Sequence, residues 1–302
     1  MSVYSILFNP YAGNGKGEEE TKKLSDILNN DTLHFYNMAE IINYEDFFDK
    51  LPEENILVIS GGDGTLNRFV NEVDEKYFSR SIYYFATGTG NDFLLDVGGK
   101  KGDPPFKINQ YITDLPTVTV NGVTRKFING IGYGIDGYCC QEGDRLRQRP
   151  GKKVNYTSIA IKGMLGKYSS VGAAVTVDGK TKKYKKVWLA PTMNGRYYGG
   201  GIMPTPKQDR LDNAALSTMV FHGSGRLKTL VIFPSIFKGE HIKHTKVIDI
   251  FKGRSITVSF DRPTALQIDG ETILDVSGYT ACADPNAGKK QNLSKAAVCD
   301  VK

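Results

Sequence analysis

Hydrophobic and polar positions alternate along the first third of the chain. Short apolar runs read as buried strands: Val3 to Phe8, Leu33 to Tyr36, Ile56 to Ser60 and Ile82 to Ala86. Between them lie stretches that read as helices, Glu18 to Leu28, Tyr44 to Leu51 and Leu66 to Val73. Strands alternating with helices predict a doubly wound, parallel α/β sheet covered on both faces. After Lys107 the pattern changes to strand-like runs at Thr117–Val120, Arg125–Ile131, Ala173–Val177, Tyr184–Ala190, Leu216–Phe221, Val247–Phe251, Ser255–Phe260 and Ala265–Ile268. Only Ser158–Tyr168 and Leu227–Phe237 read as helices there. Asn121-Gly122, Asp178-Gly179 and Asp269-Gly270 each sit between strand-like runs, as type I′ hairpins favour, so this part is expected to be mostly antiparallel. The boundary is expected in or just after Gly98–Pro105, giving domains over residues 1–115 and 116–284. The polar segment Pro285–Lys302 either rejoins the first domain or forms a loose tail.

Three strands of the first domain run into glycine-rich turns. They are Asn9-Pro10-Tyr11-Ala12-Gly13-Asn14-Gly15-Lys16-Gly17, Gly61-Gly62-Asp63-Gly64-Thr65 and Thr87-Gly88-Thr89-Gly90-Asn91-Asp92. In an open parallel sheet such turns share one edge, where ligands bind. Any one alone is more often a connection that sterics require. Their coincidence points to backbone N–H groups and a helix N-terminus facing an anion, with Asp63 as a hard oxygen ligand for an accompanying cation. Known phosphate motifs are absent: Gly15-Lys16 is followed by Gly17 rather than Ser or Thr, and Phe93 stands where the dinucleotide fingerprint needs glycine.

Composition sets outer bounds. With 302 residues and 40% hydrophobic content the chain can build two cores. The N-terminus lacks a leader-like pattern and no apolar run approaches the ~18 residues of a membrane span, so a cytoplasmic protein is expected. Cys139, Cys140, Cys282 and Cys299 lack metal-ligand spacing and read as reduced thiols. His34, His222, His241 and His244 show no zinc motif. The net charge of +6 is uneven: Gly143–Lys186 carries twelve basic residues against Asp144 and Asp178. Such an excess attracts an anionic membrane surface, although a solvated basic face explains it equally well. No nucleic-acid-reading motif accompanies it, so no nucleic-acid partner is expected. The apolar residues of 159–165 and 230–237 read first as core and second as the entrance for an acyl chain.

Asn9-Pro10 with Gly13, then Gly61–Thr65, then Thr87–Asp92, in that order, resembles the catalytic domain of diacylglycerol and sphingosine kinases. The resemblance continues through Gly132–Asp136, Asn194–Gly201, Lys238–His241 and Asp269-Gly270-Glu271, and is nearest to the soluble, single-module bacterial lipid kinases. It implies a Rossmann-like, NAD-kinase-like N-terminal domain and a C-terminal β-sandwich domain, with the active site in the cleft between them. It further implies transfer of the γ-phosphoryl group of ATP, with Mg²⁺, to a lipid hydroxyl. By the same resemblance Asn9, Gly13, Gly61, Gly62, Thr65, Thr87, Gly88, Gly90 and Asn91 line the nucleotide site and Asp63 organises the metal-nucleotide. Glu271 is then the general base, and Asp136 contacts the lipid head group. Pro206–Asp212 resembles a stretch that binds a structural Mg²⁺ in some bacterial relatives, which makes Asp209 a candidate metal ligand, although Arg210 departs from the usual glycine.

Three readings follow. The first is a lipid kinase for diacylglycerol or a related alcohol, cytoplasmic and peripherally membrane-associated. The second is a kinase of a soluble acceptor, because NAD kinases share Gly-Gly-Asp-Gly. The third is a non-catalytic lipid- or nucleotide-binding regulator, against which stand the intact Asp63 and Glu271. An edge strand of the second domain leaves a homodimer open.

Overall fold

A computed structural model of the protein describes residues 1–148, 154–212 and 215–283. The chain divides into two compact units, Met1–Thr113 with Tyr197–Ile202, and Asp114–Arg196 with Met203 onward. The segment that returns to the first unit is therefore Tyr197–Ile202. The expected return through Pro285–Lys302 lies outside the described residues.

In the first unit, β1 (Val3–Phe8), β2 (Thr32–Asn37), β3 (Ile56–Gly61), β4 (Ile82–Ala86) and β5 (Phe106–Lys107) form one sheet in the order β2-β1-β3-β4-β5. β1 to β4 pair in parallel and β5 is antiparallel, so the sheet is mixed. Ile6, Leu7, Leu57, Val58 and Ile59 are fully buried, as strands covered on both faces require. The helix expected over Glu18–Leu28 is two short helices, Gly17–Lys22 and Leu24–Ile27, broken at Lys23. The helix expected from Leu66 begins at Asp63, with Gly62 as its cap. β5 has only two residues, too few to show a period.

The second unit holds β6 (Thr117–Val120), β7 (Val123–Lys126), β8 (Gly130–Tyr133), β9 (Val171–Val177), β10 (Lys180–Val187), β11 (Thr192–Met193), β12 (Leu216–Phe221), β13 (Ile248–Gly253), β14 (Ser255–Ile268) and β15 (Glu271–Cys282). Every pairing is antiparallel, and the main order is β13-β12-β11-β8-β14-β15-β6-β7, with β9 joining β14 to β10. Their inward residues, among them Val118, Ile131, Tyr133, Val175, Val220, Val258, Leu266 and Ala281, close a single apolar core. Tyr133 and Phe260 stack there with ring centroids 3.7 Å apart.

Three expectations need correction. The run Arg125–Ile131 is split between β7 and β8, because the Phe127 amide donates to Pro116 O and the Ile128 and Asn129 amides leave the ladder for Asp269. A 13-residue helix, Ile135–Arg147, has no counterpart in the expected elements, because its mixed polarity gives a weak stripe. The expected strands Ser255–Phe260 and Ala265–Ile268 are one strand with register shifts, which continues through the Asp269-Gly270 turn into β15. Among the described residues, no helix is long and apolar enough to cross a membrane.

Candidate active site

The three glycine-rich turns of the first unit meet at the carboxyl ends of β1, β3 and β4. Asn9 Nδ2 donates to Thr65 Oγ1 at 2.9 Å, tying the first turn to the second. Gly13 has φ +59°, and a Cβ there would lie 2.6 Å from the Thr87 carbonyl oxygen, so the first turn is also pressed against the third. A Cβ on Gly88 would lie 2.5 Å from Gly62 Cα. This spacing excludes any side chain, which explains the glycines by contact distance and not by turn preference alone.

Asp63 is the hub of these turns. Its Oδ2 accepts from the Asp92 amide and its Oδ1 from the Phe93 amide, both at 2.8 Å. These two backbone donors fix the orientation of the Asp63 carboxylate at the turn. Asp92, to which the sequence reading gave no role, is buried and accepts from the Gly200 and Gly201 amides at 2.8 and 2.7 Å. These bonds seat the returning segment Tyr197–Ile202 in the first unit. The one available signal was the run Gly199-Gly200-Gly201, in which all three residues have positive φ.

Two polar atoms of the third turn are buried without partners, Thr87 Oγ1 and Asn91 Oδ1. Leaving such atoms unpaired costs ~1–3 kcal/mol each, so their presence beside a glycine cradle fits a ligand that bonds them. Thr87 is fully buried, and Asn91 holds the left-handed conformation at φ +50°, its Nδ2 donating to Gly88 O. Gly61 and Gly90 complete the lining; a Cβ on Gly90 would come 3.7 Å from Asp63 Oδ2. All ten residues read from the sequence as nucleotide or metal-nucleotide contacts thus belong to one unit and one sheet edge.

Glu271, Asp136 and Asp209 belong to the second unit. Glu271 opens β15 directly after the Asp269-Gly270 turn, half-exposed, with Oε2 accepting from Arg125 Nη1 at 2.6 Å. Asp269 is not merely a turn residue. Its Oδ2 accepts from the Ile128 amide at 2.6 Å, and its Oδ1 from the Asn129 and Gly130 amides at 2.8 and 2.9 Å.

Asp136 lies buried in the first turn of the helix Ile135–Arg147. It crowds over Gly132 with Gln267: a Cβ at Gly132 would lie 2.8 Å from Asp136 Oδ2 and 2.5 Å from Gln267 Nε2. Burial pushes the Asp136 carboxyl up to about 7, and pushes the neighbouring Cys140 thiol up to about 12. The Cys140 thiol is therefore un-ionised at neutral pH.

Asp209 is exposed, and its Oδ1 accepts from the Leu211 amide at 3.0 Å. Arg210 is buried instead, donating through Nη1 to Ile128 O and through Nη2 to Asn129 Oδ1, each at 2.7 Å. Among the described residues, no group of three or more His, Cys, Asp or Glu could hold a metal ion.

Residues 4–121 match the family described as the diacylglycerol kinase catalytic domain, and residues 129–287 match the YegS C-terminal NAD kinase beta sandwich-like domain. A Mycobacterium tuberculosis protein named diacylglycerol kinase is 27% identical over 199 residues, covering 63% of this chain and 62% of that protein. The match thus spans less than two thirds of that relative's length. A Staphylococcus epidermidis protein provisionally named a lipid kinase is 28% identical over 292 residues, covering 87% and 86% of the two chains. Among solved structures, a diacylglycerol kinase from Bacillus anthracis shares the fold, with a TM-score of 0.56 at 19% identity and coverage of 93% and 92%.

Proposed function

The chain belongs to the diacylglycerol kinase family of lipid kinases, and from that premise we propose that it transfers the γ-phosphoryl group of ATP to the hydroxyl of diacylglycerol or a related lipid alcohol at an anionic membrane surface. The observation that carries the ATP reading is the pair of buried, unpartnered atoms Thr87 Oγ1 and Asn91 Oδ1, set in a cradle whose glycines admit backbone alone. Such a cradle presents N–H groups to phosphate oxygens and the N-terminus of the helix Asp63–Glu72 to their charge. Asp63 would hold the Mg²⁺ that accompanies the nucleotide, and that ion would supply neutralisation of charge on the transferred group.

Glu271 takes the proton of the lipid hydroxyl. As the hydroxyl oxygen bonds to the γ-phosphorus, the bond from that phosphorus to the bridging oxygen breaks, leaving ADP and a phosphorylated lipid. Arg125 holds the Glu271 carboxylate in one place, and phosphoryl transfer depends mainly on such positioning. Asp136, whose carboxyl burial pushes up to about 7 and so keeps partly protonated at neutral pH, is suited to hydrogen-bond the lipid head group.

Support for a membrane surface comes from the helical segments Tyr156–Lys167 and Arg226–Lys238, which contain no acidic residue. Arg226 Nη1 joins them by donating to Met164 O and Tyr168 O, both at 2.8 Å. Ile159, Met164, Phe233 and Ile236 are core, whereas Leu227 and Val231 are 78% and 79% exposed and Ile161 and Leu165 are exposed as well. Lys162, Lys167, Lys228 and Lys238 are exposed on the same two segments. Apolar tips among lysines suit an anionic lipid headgroup layer. Elsewhere the basic excess is partly cancelled, since Arg145 and Arg147 pair with Glu142 and Asp144.

The test is transfer of labelled γ-phosphate from Mg-ATP to a panel of lipids in mixed micelles, with NAD as a soluble acceptor. A labelled phospholipid is the expected product and names the substrate. Label on NAD alone would move the assignment to a soluble-acceptor kinase, and no transfer would leave a binding protein.

A further inference from the structure

The turn that presents Glu271 is held by a relay of three groups from distant parts of the sequence. Arg210 Nη1 donates to the Ile128 carbonyl oxygen at 2.7 Å. That carbonyl and the Asn129 N–H belong to the same peptide unit, and the Asn129 N–H donates to Asp269 Oδ1 at 2.8 Å. One peptide therefore lies between a guanidinium and a carboxylate, each polarising it in the same sense, the arrangement in which hydrogen bonds strengthen one another. The other nitrogen, Nη2, fixes the Asn129 side chain at 2.7 Å, and Asn194 Nδ2 adds a second donor to Ile128 O at 2.9 Å. The Ile128 and Gly130 amides complete the grip on Asp269, two residues before Glu271.

Arg210 is 6% exposed, so its charge is withdrawn from water and needs these acceptors. A divalent cation coordinated beside it would stand next to a buried guanidinium, and Asp209, the residue expected to ligate it, is exposed and commits Oδ1 to the Leu211 amide. We propose that Arg210 is a positioning residue for Glu271, a protein-borne cation at the place where the resembling sequence pattern implies a metal ion. The catalytic part of this inference rests on the kinase reading given above; the structural part does not.

The experiment has two arms, so that failure of either claim is distinguishable. In amide hydrogen exchange on the intact protein, Arg210→Met is expected to speed exchange at Ile128, Asn129 and Gly130 by ~10-fold or more, with the β1 and β3 amides unchanged. Unchanged exchange at those three amides would overturn the proposal, whether or not any lipid is phosphorylated. Should Arg210→Met fail to fold, Arg210→Lys, which keeps the charge but loses the fork, is expected to loosen the same amides to a smaller degree. Exchange in the wild-type protein is expected to be the same in EDTA as in Mg²⁺. Protection that requires Mg²⁺ and disappears in Asp209→Asn would return the role to a metal. In the kinetic arm, Arg210→Met is expected to lower kcat ~10-fold with KM for ATP within about twofold, and to cost little further when added to Glu271→Gln. Fully additive losses would show a general loss of structure in place of positioning.

Discussion

The glycine turns of the first unit and the Asp269 turn of the second solve the same problem by opposite means. The first places reactive groups by removing side chains, so that Gly62 and Gly88 bring two backbones within a distance no Cβ permits. The second places Glu271 by adding side chains, with Asp269, Arg210, Asn194 and Arg125 each bonding across more than 60 residues of sequence. Backbone sites of the first kind are suited to phosphate, which every N–H can bind. Side-chain sites of the second kind suit a single proton transfer, where one carboxylate must stand at one distance.

The comparison predicts different kinds of damage. Glu271→Gln removes the proposed base and leaves the glycine turns of the first unit untouched, so kcat is expected to fall by ~10² to 10⁴ with ATP affinity nearly unchanged. Steady-state kinetics in mixed micelles read both values. Full activity in this variant would end the assignment of Glu271. Gly88→Ala should do the reverse, because the added Cβ forces the second and third turns apart. Overpacking costs ~1–3 kcal/mol, which is about 5- to 150-fold if it falls on nucleotide binding. Isothermal titration with a non-hydrolysable ATP analogue measures it; unaltered affinity would show that the close approach of Gly62 and Gly88 does not shape the site.

The same contrast explains what could be read from the chain. β1, β3 and β4 and all three of their turns were legible because local patterns define them: a buried run, then glycines. β12 was legible for the same reason, with all six residues buried. β15 and the helix Ile135–Arg147 were not, because their mixed polarity carries neither a clean period of two nor a wide apolar stripe. Glu271 is singled out only through resemblance, since Asp269-Gly270 looks like any hairpin dipeptide. The amides that hold Asp269 come from residues 128–130, and no local rule connects positions about 140 residues apart. Arg210 appeared as a departure from a motif, whereas its bonds to Ile128 and Asn129 show it to be part of the second unit's framework.

A smaller effect separates the membrane from the chemistry. Replacing both Leu227 and Val231 by serine removes two exposed apolar tips without touching either turn system. Cosedimentation with anionic vesicles is expected to weaken ~10-fold, about what two partly inserted side chains contribute, and raised salt should weaken the remainder. Transfer to substrate in mixed micelles should stay near the wild-type rate. Wild-type vesicle binding by this double variant would remove the two helices from the membrane reading.

The smallest effect concerns Asp136, whose setting differs from that of Asp269 within the same unit. Three backbone amides compensate the Asp269 carboxylate, whereas burial dominates at Asp136 and pushes its carboxyl up to about 7 from the usual 3.8. Between those two pH values the folded chain keeps a proton that the unfolded chain has lost. The folded state therefore binds more protons, and stability from this group falls as pH rises from about 4 to about 7, then levels off. Asp136→Asn cannot ionise and should remove that slope. The variant is expected to match the wild-type protein near pH 4 and to melt several °C higher at pH 8, since every tenfold in the raised proton affinity corresponds to about 1.4 kcal/mol. Thermal unfolding across that range decides it: parallel curves for the two proteins would mean that Asp136 is ionised in the folded state, and that the lipid head group would meet a carboxylate there instead of a carboxylic acid.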